Sequence, residues 1–224
     1  MLLRKTVLLL SIILIGTCLS AQTIPNNGFE NWTTDNGMFD CPVRWVTNDM
    51  LTHKFNRGYT GHTTTKSDES HSGKYAAKLS VAISGYDTIN GGLYSVGSVD
   101  SLLKIYFKKW SAGFKCTTAV KEFKGFYVFN TVKGDSAIFG VNLTMWNKNS
   151  HKRDTIVNAT MKIGKDADRY TPFDMPLLYK LSTEVPDTAF ITIGIKGPGK
   201  SAAHPGSMLL IDDLLFAGGT PIKK

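Results

Sequence analysis

The chain has 224 residues, 42% of them hydrophobic, which is enough to bury a sizeable core within one domain. Its formal net charge is +8. The basic residues are scattered (Lys108-Lys109, Lys148, Lys152-Arg153, Lys223-Lys224) with no dense block interleaved with aromatics, which argues for a solvated basic surface and against nucleic acid as a partner.

Residues 1–21, MLLRKTVLLLSIILIGTCLSA, have the three parts of a secretory signal peptide. Arg4 and Lys5 lead an apolar run from Val7 to Ile15, and the small residues Ser20 and Ala21 precede Gln22. The run is short for a spanning helix, which needs about 20 apolar residues. Cleavage after Ala21 is expected. The rival reading is lipidation at Cys18, where Thr17 stands in place of the Gly or Ala that such signals prefer. No second long apolar run follows, so the mature chain is expected to lack a transmembrane segment and to form one β-sandwich domain over 22–224. Its location is then secreted, periplasmic or cell-surface. Two cysteines remain after the leader, Cys41 and Cys116; export permits a disulfide, and the sequence leaves their pairing open.

Helical periodicity is scarce in the mature chain. Short apolar runs broken by Gly, Asn, Asp, Ser and Pro recur instead, at 74–83, 124–130, 137–146, 155–163 and 189–196. In the last of these Phe190, Thr192, Gly194 and Lys196 fall on one face and Ala189, Ile191, Ile193 and Ile195 on the other, the period of a half-buried strand. Turn signals lie between the runs, and 139–163 reads as a hairpin. Many short strands with frequent turns predict an all-β antiparallel sandwich or barrel. The final strand is expected over 207–216, and the tail beyond it is expected to fray.

Two places put acids among apolar residues. Glu30 stands between Phe29 and Trp32 near the start, and Asp212-Asp213 interrupt SMLLIDDLLF near the end. Adjacent strand side chains alternate faces, so at least one of the two aspartates is expected to point toward an apolar layer. A buried carboxylate without compensation costs several kcal/mol, on the order of an unpaired buried charge. A shared oxygen-rich site joining the chain ends would answer this. Carboxylates with backbone carbonyls suit Ca²⁺, and the tight turn around Gly73 in DESHSGKYAAKL offers free carbonyls at Ser72 and Lys74. The plainer reading is that Glu30 and the Asp pair cap loops or meet a lysine.

Three stretches carry a family resemblance. NNGFENW (26–32), HSGKYAAKL (71–79) and GSMLLIDDLLF (206–216) are similar to the opening, strand-start and closing motifs of galactose-binding-like β-sandwich modules, including many carbohydrate-binding modules. Together with CPVRWVTND (41–49), 124–147, YTPFDMPLLY (170–179) and VPDTAFITI (185–193), the chain resembles the bacterial "putative carbohydrate metabolism domain" family from about Ile24 to Phe216. The resemblance implies a jelly-roll sandwich and no known catalytic activity. It also implies a structural Ca²⁺ held by Glu30 and one of Asp212 or Asp213, with carbonyls from Gly28, Ser72 and Lys74.

Aromatic faces stack on sugar rings, so exposed tryptophans would mark a glycan site. Trp45 is expected in the core and Trp32 beneath the acid loop, which leaves Trp110 and Trp146. Among Tyr86, Tyr94, Tyr127 and Tyr170 the sequence ranks none, and Tyr127 is carried with the two tryptophans as a ligand-contact residue. Catalysis finds less support. No spacing marks a carboxylate pair for glycoside hydrolysis, the five histidines form no metal motif, and GKS at 199–201 lacks a nucleophile-elbow context. The expected function is a secreted non-catalytic module that binds polysaccharide. A structural or adhesion module contacting a cell-surface protein is the first rival, and a glycoside-active enzyme the second.

Overall fold

A computed structural model describes residues 22–35, 37–56, 58–85, 87–106, 113–180 and 185–221. The leader with Cys18, and Trp110, lie outside these residues. In chain order the strands and helices are β1 (Trp32–Asp35), β2 (Phe39–Pro42), β3 (Val46–Thr47), α1 (Asn48–Phe55), β4 (Thr64–Ser67), β5 (Ala76–Ser84), β6 (Asp87–Asn90), β7 (Gly92–Tyr94) and α2 (Val99–Tyr106). They continue with β8 (Phe114–Lys115), β9 (Thr118–Ala119), β10 (Glu122–Asn130), β11 (Ser136–Asn147), β12 (Lys152–Ile163), β13 (Ala167–Pro176), β14 (Thr188–Lys196), β15 (Met208–Ala217) and β16 (Thr220–Pro221).

The long strands form the two antiparallel layers of a jelly-roll sandwich. One sheet runs β13-β10-β15-β5-β4 with β6 beside β5, and the other β12-β11-β14-β7-β3 with β8 beside β14. Period-2 alternation builds both. In β14 Ala189, Ile191, Ile193 and Ile195 are buried while the residues between them face out. In β11 Phe139, Val141 and Leu143 face the same interior, and the β11–β12 hairpin closes over 147–152. The first sheet contributes Phe123, Phe129, Leu209, Ile211, Leu214 and Phe216. Phe139 of the second sheet meets Phe173 of the first at 4.5 Å between ring centroids, and Phe173 meets Phe123 edge-on at 5.4 Å. Trp45 is buried there, its Nε1 donating to the Pro25 carbonyl at 2.9 Å.

The two helices depart from the all-β expectation. The residues α1 buries are Asp49 and His53 rather than an apolar stripe, so no 3.6-residue hydrophobic period announces it. Thr47 caps it, its hydroxyl accepting from the Met50 N–H at 3.2 Å. Asp49 is fully satisfied inside: it accepts from the Tyr59 hydroxyl at 2.5 Å, the Thr63 hydroxyl at 2.7 Å and the Thr64 N–H at 2.8 Å. Both helices pack on the outer face of the second sheet. Val46, Val96 and Leu102 form a small cluster with Met50, Leu51, Val99, Tyr94 and Phe190.

One further expectation is corrected, and one open question is answered. The tail does not fray at once, because Thr220–Pro221 pairs with Thr118–Ala119 as β16 on β9. Cys41 and Cys116 are separate buried thiols with no disulfide between them, and burial pushes each up to about 11.

Candidate functional site

The acid-bearing segments at the two ends of the chain meet. The Leu214 N–H donates to the Asn27 carbonyl and the Asn27 amide to the Leu214 carbonyl, each at 2.9 Å. Phe29, fully buried beside Trp45, anchors the opening segment, and the half-buried Trp32 donates from its Nε1 to the Phe29 carbonyl at 2.5 Å. The β15 strand bulges between Asp212 and Leu215, where one residue of β10, Gly125, faces two residues, Asp213 and Leu214. Asp213 takes φ +50°, a left-handed conformation that Asp tolerates. The bulge cancels the alternation expected for adjacent residues. Both carboxylates reach the 69–74 loop, and neither enters the sandwich.

Each carboxylate there meets donors. Asp212, with no exposed surface, accepts the His71 N–H at 2.8 Å, the Ser72 N–H at 3.1 Å and the Asp213 N–H at 2.8 Å. Its pKa is raised: burial is the largest cause and the Asp213 charge adds to it, while the N–H bonds oppose. Asp213 bonds the His71 Nδ1 at 2.7 Å and the Ser72 hydroxyl at 2.8 Å. Glu30 accepts the Lys74 and Tyr75 N–H groups at 2.8 and 3.1 Å. The His71 ring stacks on Phe126 at 3.6 Å and meets the edge of Tyr170 at 5.5 Å, so the loop lies over the outer face of the first sheet.

This donor set bears on the calcium expectation. Ser72 and Lys74 turn N–H groups, not carbonyls, toward the acids. Gly28 packs where an added Cβ would sit 3.5 Å from Asp213 Oδ1. A hard cation takes six to eight oxygens, whereas the carboxylates here already accept N–H and O–H groups. Among the described residues no group of three or more His, Cys, Asp or Glu side chains is placed to hold a metal ion. The residues as arranged fit a hydrogen-bonded junction rather than a Ca²⁺ shell. Gly73 supports this junction. It has φ +64°, and an added Cβ would overlap the Glu30 carboxylate. Gly73→Ala is therefore expected to lose about 2 kcal/mol in urea unfolding, from left-handed strain and two weakened N–H bonds.

A second constellation joins Asp135, His204 and Ser207. Asp135 is buried and accepts the His204 Nδ1 at 2.8 Å and the Ser207 hydroxyl at 2.7 Å. Burial alone would raise its carboxyl, but the His204 N–H, the Ser207 hydroxyl and the imidazole together hold it below the usual carboxylate range. The residue types are those of a hydrolase triad and the wiring is not, because the serine donates to the acid and not to the histidine. The cluster ties two loops together.

The outer face of the second sheet is different in character. Ile138, Gly140, Asn142, Thr144 and Trp146 share one side of β11, opposite the core-facing Phe139, Val141 and Leu143. Across the strands they are flanked by Lys162, Thr160 and Asn158 of β12 and by Gly194, Thr192, Phe190 and Thr188 of β14. The helices cover Tyr94 and Phe190 on one flank and leave an open cleft of about 390 Å³ beside them. Asn48, Asn90, Gly92, Ile138, Thr192 and Lys196 are among its lining residues, and among the described residues no carboxylate is. Gly92 and Gly194 face each other across β7 and β14 and supply its floor without side chains.

Trp146 lies at the far end of this face, 47% exposed. Its N–H donates to Asp187 at 2.7 Å, and the same carboxylate pairs with the Arg153 guanidinium, which also donates to Thr144 at 3.2 Å. Asp187 is held below the usual carboxylate range: burial would raise it, but Arg153, Thr188 and the Trp146 N–H outweigh burial. Tyr127 is placed otherwise than the sequence reading supposed. Its ring turns inward to Phe139 and Phe173, each at 6.4 Å, and burial raises its hydroxyl, so it belongs to the core margin rather than to a surface platform. Asn142 and Asn158 share the outer face beyond the cleft and each begins an Asn-x-Thr triplet, while Gly194 of the cleft floor was marked only by strand alternation.

No family model and no curated protein matches the chain. Solved structures do. One from Bacteroides thetaiotaomicron, described as a "putative glycoside hydrolase", aligns with TM-score 0.64 at 12% identity over 89% of this chain and 71% of its own. A second, described in the same words, from Bacteroides vulgatus, aligns with TM-score 0.58 at 14% identity over 84% of this chain and 96% of its own. A carbohydrate-binding module, TmCBM61 in complex with β-1,4-galactotriose, is a more distant match, with TM-score 0.46 at 12% identity over 88% of this chain and 97% of its own. At such identities the likeness concerns fold alone. The chain has the antiparallel β-sandwich fold of the two Bacteroides proteins.

Proposed function

We propose that this protein is an exported, non-catalytic module that binds glycan along the open outer face of its second sheet. The observation that carries the reading is the exposed Trp146 on the same face as a glycine-floored cleft rimmed by Asn, Thr and Lys side chains. An aromatic platform with a few polar groups in a shallow groove is the chemistry of sugar recognition. Among the described residues the cleft lining has no carboxylate, whereas glycoside hydrolysis wants two held about 5–10 Å apart, which supports binding over hydrolysis. Export rests on the leader at 1–21, and a mature N-terminus at Gln22 is the expected mass-spectrometric result.

Affinity electrophoresis in gels containing polysaccharide tests the function. Retardation by at least one polymer is expected. Free migration in all of them, with a protein partner co-purifying, would favour an adhesion role instead.

Calcium at the acid junction is the second reading. Its support is the convergence of three carboxylates, Glu30, Asp212 and Asp213, on residues 71–75. It requires EDTA to lower the melting temperature and added Ca²⁺ to restore it, with the response lost in Glu30→Gln. An unchanged melting curve is the result expected of the N–H-filled junction.

A further inference from the structure

We propose that the glycan this face accepts is anionic, bearing carboxylate or sulfate groups; the inference rests on the outer face of the second sheet being the glycan site. Lys162 and Lys196 flank one end of the cleft. Lys162 lies directly across from Ile138 on β12, and Lys196 lies on β14 two residues beyond Gly194, which is across from Ile138 on the other side. That register separates the two lysines by two strands, about 10 Å, and by two residues along the strand, about 7 Å. Both are exposed, and neither is in an ion pair among the described residues.

The carboxylates nearby do not answer these charges. Asp49, next to the cleft residue Asn48, is turned into its own buried network with Tyr59, Thr63 and Thr64. Asp187 at the far end is occupied by Arg153, Thr188 and the Trp146 N–H. The remaining outward residues of β11, β12 and β14 along the trough are Asn, Thr, Gly, Ser, Ile and Phe, with Trp146 and the Asp187-paired Arg153 at the far end. The open face therefore carries two unanswered ammonium groups on neutral ground. A neutral polymer would leave both of them unused, while an acidic one gains charge-assisted hydrogen bonds and faster encounter.

The test uses the full mature protein with polygalacturonate, its carboxyl-reduced counterpart, dextran sulfate and unmodified dextran. Binding is read by calorimetry at low and moderate salt. Polygalacturonate or dextran sulfate is expected to bind at least 10-fold tighter than its uncharged counterpart, with the advantage shrinking as salt rises. Which polyanion wins identifies carboxylate or sulfate as the recognised group. The double variant Lys162→Glu/Lys196→Glu is expected to lose that advantage while keeping its melting temperature, since both side chains stand in solvent. Equal binding of neutral and charged polymers would overturn the inference and leave the glycan face standing. Binding of no polymer at all would overturn both. Single-stranded DNA bound as tightly as the glycan polyanions, with the same loss in the double variant, would overturn the inference as mere attraction to charge.

Discussion

Replacing Asp212 by alanine will cost the fold about 3–5 kcal/mol, the range seen when one partner of a buried charged network is removed. The carboxylate has no exposed surface and is the shared acceptor for three backbone N–H groups, those of His71, Ser72 and Asp213. Each donor left without a partner costs about 1–3 kcal/mol, and the 69–74 loop loses its main attachment to β15. Asp213→Asn is the internal control. It keeps a residue that tolerates φ +50° and disturbs only the half-exposed bonds to His71 and Ser72, so about 1 kcal/mol or less is expected. Urea denaturation with unchanged m-values reads both. The pH dependence gives a second readout. A folded carboxyl raised above its unfolded value contributes stability below the unfolded pKa and loses it as pH rises through the folded pKa. The Asp212→Asn variant should lack that component. An Asp212→Ala protein within 1 kcal/mol of wild type would show that the ends of the chain are joined by something other than this junction.

Trp146→Ala will abolish most glycan binding, with at least a 30-fold rise in Kd, about 2 kcal/mol, the usual threshold for an aromatic anchor. The ring is the large aromatic that stands out from the open face, and its backbone is fixed by Asp187, so the platform is pre-organised. Stability should barely move, because an exposed ring contributes little to the core. Trp146→Phe should recover part of the affinity, since a smaller ring still offers a face. Asp187→Asn should cause an intermediate loss by releasing both the Trp146 N–H and Arg153. Unaltered affinity in Trp146→Ala, with binding otherwise intact, would place the glycan site on another surface.

Much of the architecture was readable residue by residue, and the failures share a cause. Alternation at 189–196 and the apolar run at 207–216 announced β14 and β15 because burial in a sandwich is periodic. The meeting of the chain ends was also legible, since acids placed among apolar residues needed partners. What stayed hidden depended on tertiary satisfaction. The α1 helix buries Asp49 and His53, a polar interior face that no hydrophobic period reports. The Asp212-Asp213 pair broke the face-alternation rule through a bulge, which only the pairing with β10 reveals. The N–H donors that fill the acids belong to a backbone whose direction the sequence does not state. On the open face the sequence singled out Trp146 as a ligand contact but assigned no such role to Asn142, Asn158 or Gly194, because small polar outward residues look the same whether they meet a ligand or water.

The position of β15 has a consequence for how the molecule forms. It is the next-to-last strand of the chain, yet it sits between β10 and β5 in the middle of its sheet. Residues 76–80 and 122–130 therefore have no neighbour to pair with on that side until residues 208–217 emerge from the ribosome. The sheet stays split in two halves throughout synthesis, and the final closure brings together partners roughly 80 to 130 positions apart, which favours slow folding. A nascent polypeptide held open in this way remains threadable, as the export proposed from the leader would require.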